Sequence, residues 1–198
     1  MRYDLKIIAS WIKPGSTVLG LGCGEGDLLH FLKKNKNVKE TGIEIKEKKV
    51  AICIEKGLTV LKGDINREIL DYSDKSFDYC ILSQTLQQVY DPGGLIKEIL
   101  RVGEKAIVSF PNFGHMKIRL QLLFSGRAPV SRELPYQWYD TPNIRVLTLE
   151  DFKVFSNKTG FNIHKQAAIK PGGQSCQGKI IKFMPNIFAT YGIYEIGK

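Results

Sequence analysis

A chain of 198 residues, 43% of them hydrophobic, can bury one sizeable core and reads most simply as a single domain spanning 1–198. The net charge of +9 is diffuse, with Lys33 to Lys49 interleaved by Glu40, Glu44 and Glu47; that is a solvated face, and nucleic-acid binding is not expected. No run nears the roughly 20 apolar residues of a membrane span, no signal-peptide pattern opens the chain, and the four scattered cysteines lack metal-site spacing, which together suggest a reduced, cytoplasmic protein.

The elements follow in order. Leu5 to Ile12 is a short amphipathic lead-in, broken by Pro14-Gly15. Thr17 to Leu21 reads as the first strand, and Asp27 to Lys34 as a helix whose Leu28, Leu29, Phe31 and Leu32 can face a sheet. Thr41 to Ile45 is the second strand, Glu47 to Lys56 the second helix, and Leu58 to Leu61 the third strand. Phe77 to Leu82, apolar except around Asp78, is a strand buried on both faces. Leu95 to Val102 is helical and Lys105 to Phe110 is the fifth strand. The pattern then changes: 111–147 is rich in aromatics, prolines and arginine, with one helix-like stretch, Met116 to Phe124. It reads as an insertion over the mouth of a pocket, because it starts where a strand ends. A helix capped by Thr148 follows, then closing strands at Phe161 to Ile169 and Thr190 to Ile196, separated in part by a Gly-rich loop, Pro171 to Gln177. Strands alternating with helices at this interval predict an α/β fold: a doubly wound, mostly parallel seven-stranded sheet.

The densest signal is Val18-Leu-Gly-Leu-Gly-Cys-Gly-Glu-Gly26, with Glu44 eighteen residues past the last glycine. Alternating glycines after a strand let the backbone turn tightly and approach a ligand where a Cβ would clash. The free N–H groups of the following helix make a polar floor. A carboxylate at the end of the second strand can accept from both hydroxyls of a ribose. Neither the dinucleotide G-x-x-G spacing nor a Walker Gly-Lys-Ser/Thr is present. The Gly22-x-Gly24-x-Gly26 form instead resembles the S-adenosylmethionine loop of class I methyltransferases, whose ligand needs no phosphate cradle. That resemblance implies a Rossmann-like class I fold binding S-adenosylmethionine or S-adenosylhomocysteine. The expected cofactor residues are Gly22, Cys23, Gly24, Gly26, Glu44, Ile45, Asp64, Ile65 and Ser83. Asp64 would accept from the adenine amino group while Ile65 packs on the ring.

Catalytic residues are harder to name. Ser83-Gln-Thr-Leu-Gln-Gln-Val89 follows the fourth strand, and Gln88 stands where many similar small-molecule methyltransferases have a histidine. An amide cannot take a proton at neutral pH. His115, in Pro-Asn-Phe-Gly-His, is the remaining candidate base, against the ordinary reading of a lone histidine as structural. Family loops also begin with an acid where this chain has Gly20.

Three segments carry a closer resemblance over residues 5 to about 165. They are Phe77-Asp-Tyr-Cys-Ile-Leu-Ser-Gln-Thr-Leu-Gln, Ala106-Ile-Val-Ser-Phe-Pro-Asn-Phe-Gly-His and Leu134-Pro-Tyr-Gln-Trp-Tyr-Asp-Thr-Pro-Asn-Ile. They are similar to the MetW family of methionine-biosynthesis proteins. The resemblance implies an accessory protein acting with homoserine O-acetyltransferase; a working methyltransferase on an unidentified small molecule is the other reading. Tyr136, Trp138 and Tyr139, flanked by Arg127, Arg132 and Arg145, read as a docking surface for that partner, or alternatively as a lid on the cofactor pocket.

Overall fold

The computed structural model describes residues 1–131, 133–172 and 177–198. Arg132 and Gly173 to Cys176, the middle of the expected Gly-rich loop, lie outside the described residues. Helix α1 (Tyr3–Trp11) leads into β1 (Thr17–Leu21), α2 (Asp27–Lys36), β2 (Lys39–Glu44), α3 (Glu47–Glu55) and β3 (Val60–Lys62). A short α4 (Ile65–Glu68) precedes β4 (Phe77–Ser83), α5 (Pro92–Val102) and β5 (Gly103–Pro111). After α6 (Met116–Ser125) come α7 (Leu149–Thr159), β6 (Asn162–Pro171), β7 (Gly178–Ile180), α8 (Pro185–Phe188) and β8 (Tyr191–Gly197).

The strands form one sheet in the order β3-β2-β1-β4-β5-β8-β6-β7. The first five are parallel, and β8, β6 and β7 add antiparallel pairings. Eight described strands stand where seven were expected. The extra one is β7, three residues long and exposed throughout, too short to show a period-2 pattern. It lengthens the antiparallel edge and leaves the parallel half, where the site lies, unchanged.

Alternation along the central strands divides the core into two layers. Leu19, Leu21, Cys80, Leu82, Ala106, Val108 and Phe110 face one layer with Leu95, Ile96 and Ile99 of α5 and Phe152 of α7. Val18, Tyr79, Ile81 and Ile107 face the other, against Leu5 and Ile8 of α1 and Leu28, Leu29 and Leu32 of α2. Side chains of a strand alternate between faces, so a strand covered on both reads as one apolar run. Asp78, the polar residue in the β4 run, is accounted for: its Oδ2 accepts from N and Oγ1 of Thr17, at 2.7 and 2.9 Å, clamping the starts of β1 and β4 together. The expected cap of α7 is a full capping box, with Thr148 and Asp151 each accepting from the other's backbone N–H. Among the described residues, no helix is long and apolar enough to cross a membrane.

Candidate functional site

The strand order creates the site. From β1 the chain winds outward through β2 and β3, then returns to β4 on the other side of β1. Loops leaving the carboxyl ends of β1 and β4 therefore turn away from each other, which is where open α/β sheets form a crevice. A cleft of about 730 Å³ lies there, and its lining includes Gly22, Glu44, Asp64, Ser83, Gln84 and Tyr136.

The glycine loop is held by geometry that only glycine tolerates. Gly22 and Gly24 have φ of +65° and +62°, in the left-handed region. A Cβ on Gly22 would also come within 2.9 Å of Thr85 Oγ1, whereas one on Gly24 would meet nothing within 4 Å. The backbone of Gly24 is thus open to the cleft, as close approach of a ligand requires. The amides of Gly22 and Cys23 both donate to the Ile43 carbonyl, at 2.8 and 3.1 Å, fastening the loop to the end of β2.

Glu44 is engaged by the protein's own backbone. Its side chain is 6% exposed; Oε2 accepts from the amide of Gly24 and Oε1 from that of Lys46, each at 2.9 Å. The carboxylate braces the loop to β2 from within the cleft wall. Ile45 falls just beyond β2 rather than inside it, and it is 62% exposed on the cleft wall. An apolar side chain left open in a concave site is a ready surface for a flat ring. Asp64 caps α4, its Oδ1 accepting from N and Nδ2 of Asn66, and Ile65 is buried beside it. Ser83 Oγ lies 3.1 Å from Ser109 Oγ at the ends of β4 and β5.

Two expected residues stand elsewhere. Gly26 does not line the cleft; it is the N-cap of α2, and a Cβ there would meet Leu58 and Cys53 behind the loop. His115 is also absent from the lining and caps α6, its Nδ1 accepting from the Lys117 amide at 3.1 Å. Its basicity is lowered by burial and by Lys170. Cys23 lines the cleft, yet burial, followed by the nearby Cys53, pushes its thiol up to about 12. It stays protonated and is no nucleophile at neutral pH.

Several lining residues were not foreseen. Gln84, at the end of β4, has φ of +58°, unusual for a residue with a side chain. Its Nε2, and Oε1 of neighbouring Gln87, are buried without a hydrogen-bond partner. Such groups are costly to leave unpaired, and they concentrate at sites that meet a ligand or a moving part. Thr85 was legible as part of the loop after β4, but its closeness to Gly22 arises only from tertiary packing. Tyr136, one of the aromatics read as docking surface or lid, lines the cleft, and Pro142 of the same segment lines it with no signal of its own in the sequence.

The family described as methionine biosynthesis protein MetW matches residues 2–196 of the chain. Over 162 residues the chain is 34% identical to the bifunctional methionine biosynthesis protein MetXA/MetW of Rhodopirellula baltica, covering 77% of this chain and 26% of that protein. It therefore spans about a quarter of that relative's length. A solved SAM-dependent methyltransferase from Archaeoglobus fulgidus superposes with a TM-score of 0.72 at 16% identity, covering 98% of this chain and 91% of that one. The [4+2]-cyclase SpnF superposes with a TM-score of 0.66 at 19% identity, covering 98% and 80%. These two likenesses show the fold, the Rossmann-like fold of class I methyltransferases. The chain belongs to the MetW family.

Proposed function

We propose that this MetW-family chain is a methionine-biosynthesis accessory protein of the cytoplasm that binds S-adenosylmethionine or S-adenosylhomocysteine and acts with homoserine O-acetyltransferase. The observation that carries the ligand is the cleft itself: a glycine loop with open backbone at Gly24, a carboxylate at the end of β2, an exposed Ile45 and the Asp64-Ile65 pair beside it. These groups fit a nucleoside, with acceptors for ribose hydroxyls and for an amino group, and apolar surface for a ring. When bound, S-adenosylmethionine supplies an electrophilic methyl group on a positively charged sulfur. The chain's own residues bind and orient: Glu44 holds both the loop and the sugar, Asp64 and Ile65 hold the base, and Ser83 and Gln84 border the remaining part of the cleft.

The accessory reading is favoured over methyl transfer by the proton chemistry of the lining. Among the described residues no histidine lines the cleft, and Gln88, which does, is an amide. An acceptor that must lose a proton finds no imidazole base in the described cleft wall, and an amide stands at the position after β4 where similar methyltransferases carry one. The partner is supported by the Rhodopirellula relative, whose name joins the two modules in one protein. Isothermal titration with S-adenosylhomocysteine, and assays of homoserine O-acetyltransferase with and without the chain, test the two halves. Saturable binding and a change in acetyltransferase rate are expected. Absence of either removes the corresponding half, and methyl incorporation into a small molecule would restore the enzymatic reading.

A further inference from the structure

Residues 133–147 form a strap without regular structure ahead of α7, and three features of it belong together. Tyr136 and Pro142 line the cleft. Two residues further along from Tyr136, Trp138 and Tyr139 stand 76% and 72% exposed, packed edge-to-face on each other with centroids 5.7 Å apart. The strap is then tied down where it leaves the cleft: the amides of Ile144 and Arg145 both donate to the Gln87 carbonyl at 3.0 Å. The Arg145 guanidinium adds hydrogen bonds to the carbonyls of Val89 and Tyr90.

The turn that receives these bonds is itself part of the cleft wall, through Gln88, Val89 and Tyr90. It hangs from Gln84, whose carbonyl accepts from Nε2 of Gln87 at 2.8 Å and whose backbone is left-handed. One side of the strap thus faces the ligand cleft and the other carries an exposed aromatic pair, and a short hydrogen-bonded turn joins both to the end of β4. Docking surface and pocket lid are therefore two sides of one strap.

We propose that the Trp138–Tyr139 pair is the docking element for homoserine O-acetyltransferase, and that docking is thermodynamically linked to occupancy of the cleft. The proposal rests on the accessory function above. Paired Trp and Tyr side chains offer large, stiff contact area and dominate many interfaces. The occupant is argued from the Rhodopirellula relative, which carries both names in one protein. A ligand that fills the cleft orders the strap through Tyr136, so a partner gripping the ordered strap pays less of the ordering cost. Linkage is reciprocal: the factor by which the partner changes ligand affinity equals that by which the ligand changes partner affinity.

The test uses this chain and the acetyltransferase of the same organism. S-adenosylhomocysteine affinity is measured by calorimetry on the free chain and on the complex, for wild type, Trp138→Ala, Trp138→Phe and Arg145→Ala, each checked for folding by circular dichroism. In wild type the two affinities should differ by about fivefold or more, the lower bound of ordinary allosteric coupling. Trp138→Ala should weaken the partner at least about tenfold and leave ligand affinity of the free chain unchanged, with Trp138→Phe between. Arg145→Ala, which removes the guanidinium bonds to Val89 and Tyr90 and so loosens the strap on the turn, should keep both binding events and bring the coupling factor toward one. Equal ligand affinities in free chain and complex, or full partner binding by Trp138→Ala, overturn the proposal. Loss of self-association in Trp138→Ala would make a second copy of this chain the occupant, which also overturns it. If the two wild-type proteins never associate, the accessory reading falls and the linkage with it; association without linkage overturns the linkage alone.

Discussion

Glu44 shows how a residue's role widens once its neighbours are known. A strand-end carboxylate that only met a ribose would matter only when ligand is present. Here it also accepts from Gly24 and Lys46, so its removal frees two amides at the base of the loop. Glu44→Ala should weaken S-adenosylhomocysteine by at least tenfold and lower the stability of the ligand-free protein as well, by roughly 1.5–3 kcal/mol for the lost charged hydrogen bonds. Urea denaturation without ligand checks this. An unchanged midpoint would mean that water replaces the carboxylate and the brace contributes nothing. Gly20 is a second case. A Cβ there would lie 3.1 and 3.2 Å from the δ carbons of Leu29, which is buried against the sheet. The space a loop acid would occupy is taken by that leucine. Gly20→Asp should therefore cost roughly 1–3 kcal/mol from crowding, added to the cost of placing a carboxylate beside apolar atoms. A midpoint equal to wild type would show that Leu29 yields and the loop has room.

At the scale of elements, α6 buries the least of any described helix longer than four residues. Ile118 is its buried residue, while Leu120, Leu122, Leu123 and Phe124 are exposed. Its N-terminus is held by the neutral imidazole of His115 accepting from Lys117. Burial and Lys170 depress the His115 pKa in the folded chain, so folding favours the neutral form. A group with a lowered folded pKa contributes stability above its unfolded pKa, near 6.5, and loses it as the pH falls through the folded value. Protection factors in the first turn of α6, taken relative to the intrinsic exchange rate at each pH, should therefore fall between pH 7 and pH 5. The cap is worth about 0.5–2 kcal/mol. His115→Asn can still cap and does not titrate there, so it should abolish that fall. A pH response that persists in the asparagine variant would place its origin elsewhere.

At the scale of the whole molecule, the antiparallel half of the sheet is joined to the parallel half by β8, which lies between β5 and β6. Glu195 on β8 is 1% exposed, with Lys105 on β5 at 3.3 Å and Lys165 on β6 at 3.0 Å. The lysine side chains are 39% and 47% exposed, so they can turn to water if the glutamate is replaced. The glutamate has no such escape. Removing both lysines should thus destabilise the fold more than Glu195→Met does, approaching the roughly 3–5 kcal/mol seen when a buried charge loses its partners. Guanidinium midpoints for the two variants decide it; a larger loss in Glu195→Met would show that the lysines, not the carboxylate, bear the desolvation.

The sequence alone determined the parallel half of this protein. Its strands are apolar runs or short alternations bounded by glycine and helix signals, and the loop at Gly22 and Gly24 is local chemistry that needs no distant partner to be read. The family segments around Ser83 and His115 were equally plain. Residue types and spacing carry such information because strand, turn and helix are settled within a few residues. The short β7 escaped because three exposed residues, Gly-Lys-Ile, are too few to show a period. Gly26 and His115 stand outside the cleft lining, which escaped for another reason: a glycine in a loop and a histidine after a strand look alike whether they meet a ligand or cap a helix. Packing sets Leu58 behind Gly26, while the local turn into α6 sets the Lys117 amide on the His115 ring. The joining of the strap to the turn at Gln87, the left-handed Gln84 and the double duty of Glu44 all depend on contacts across tens of residues. Local pattern cannot contain them, because they exist only after the sheet has brought the carboxyl ends of β1, β2 and β4 to one edge.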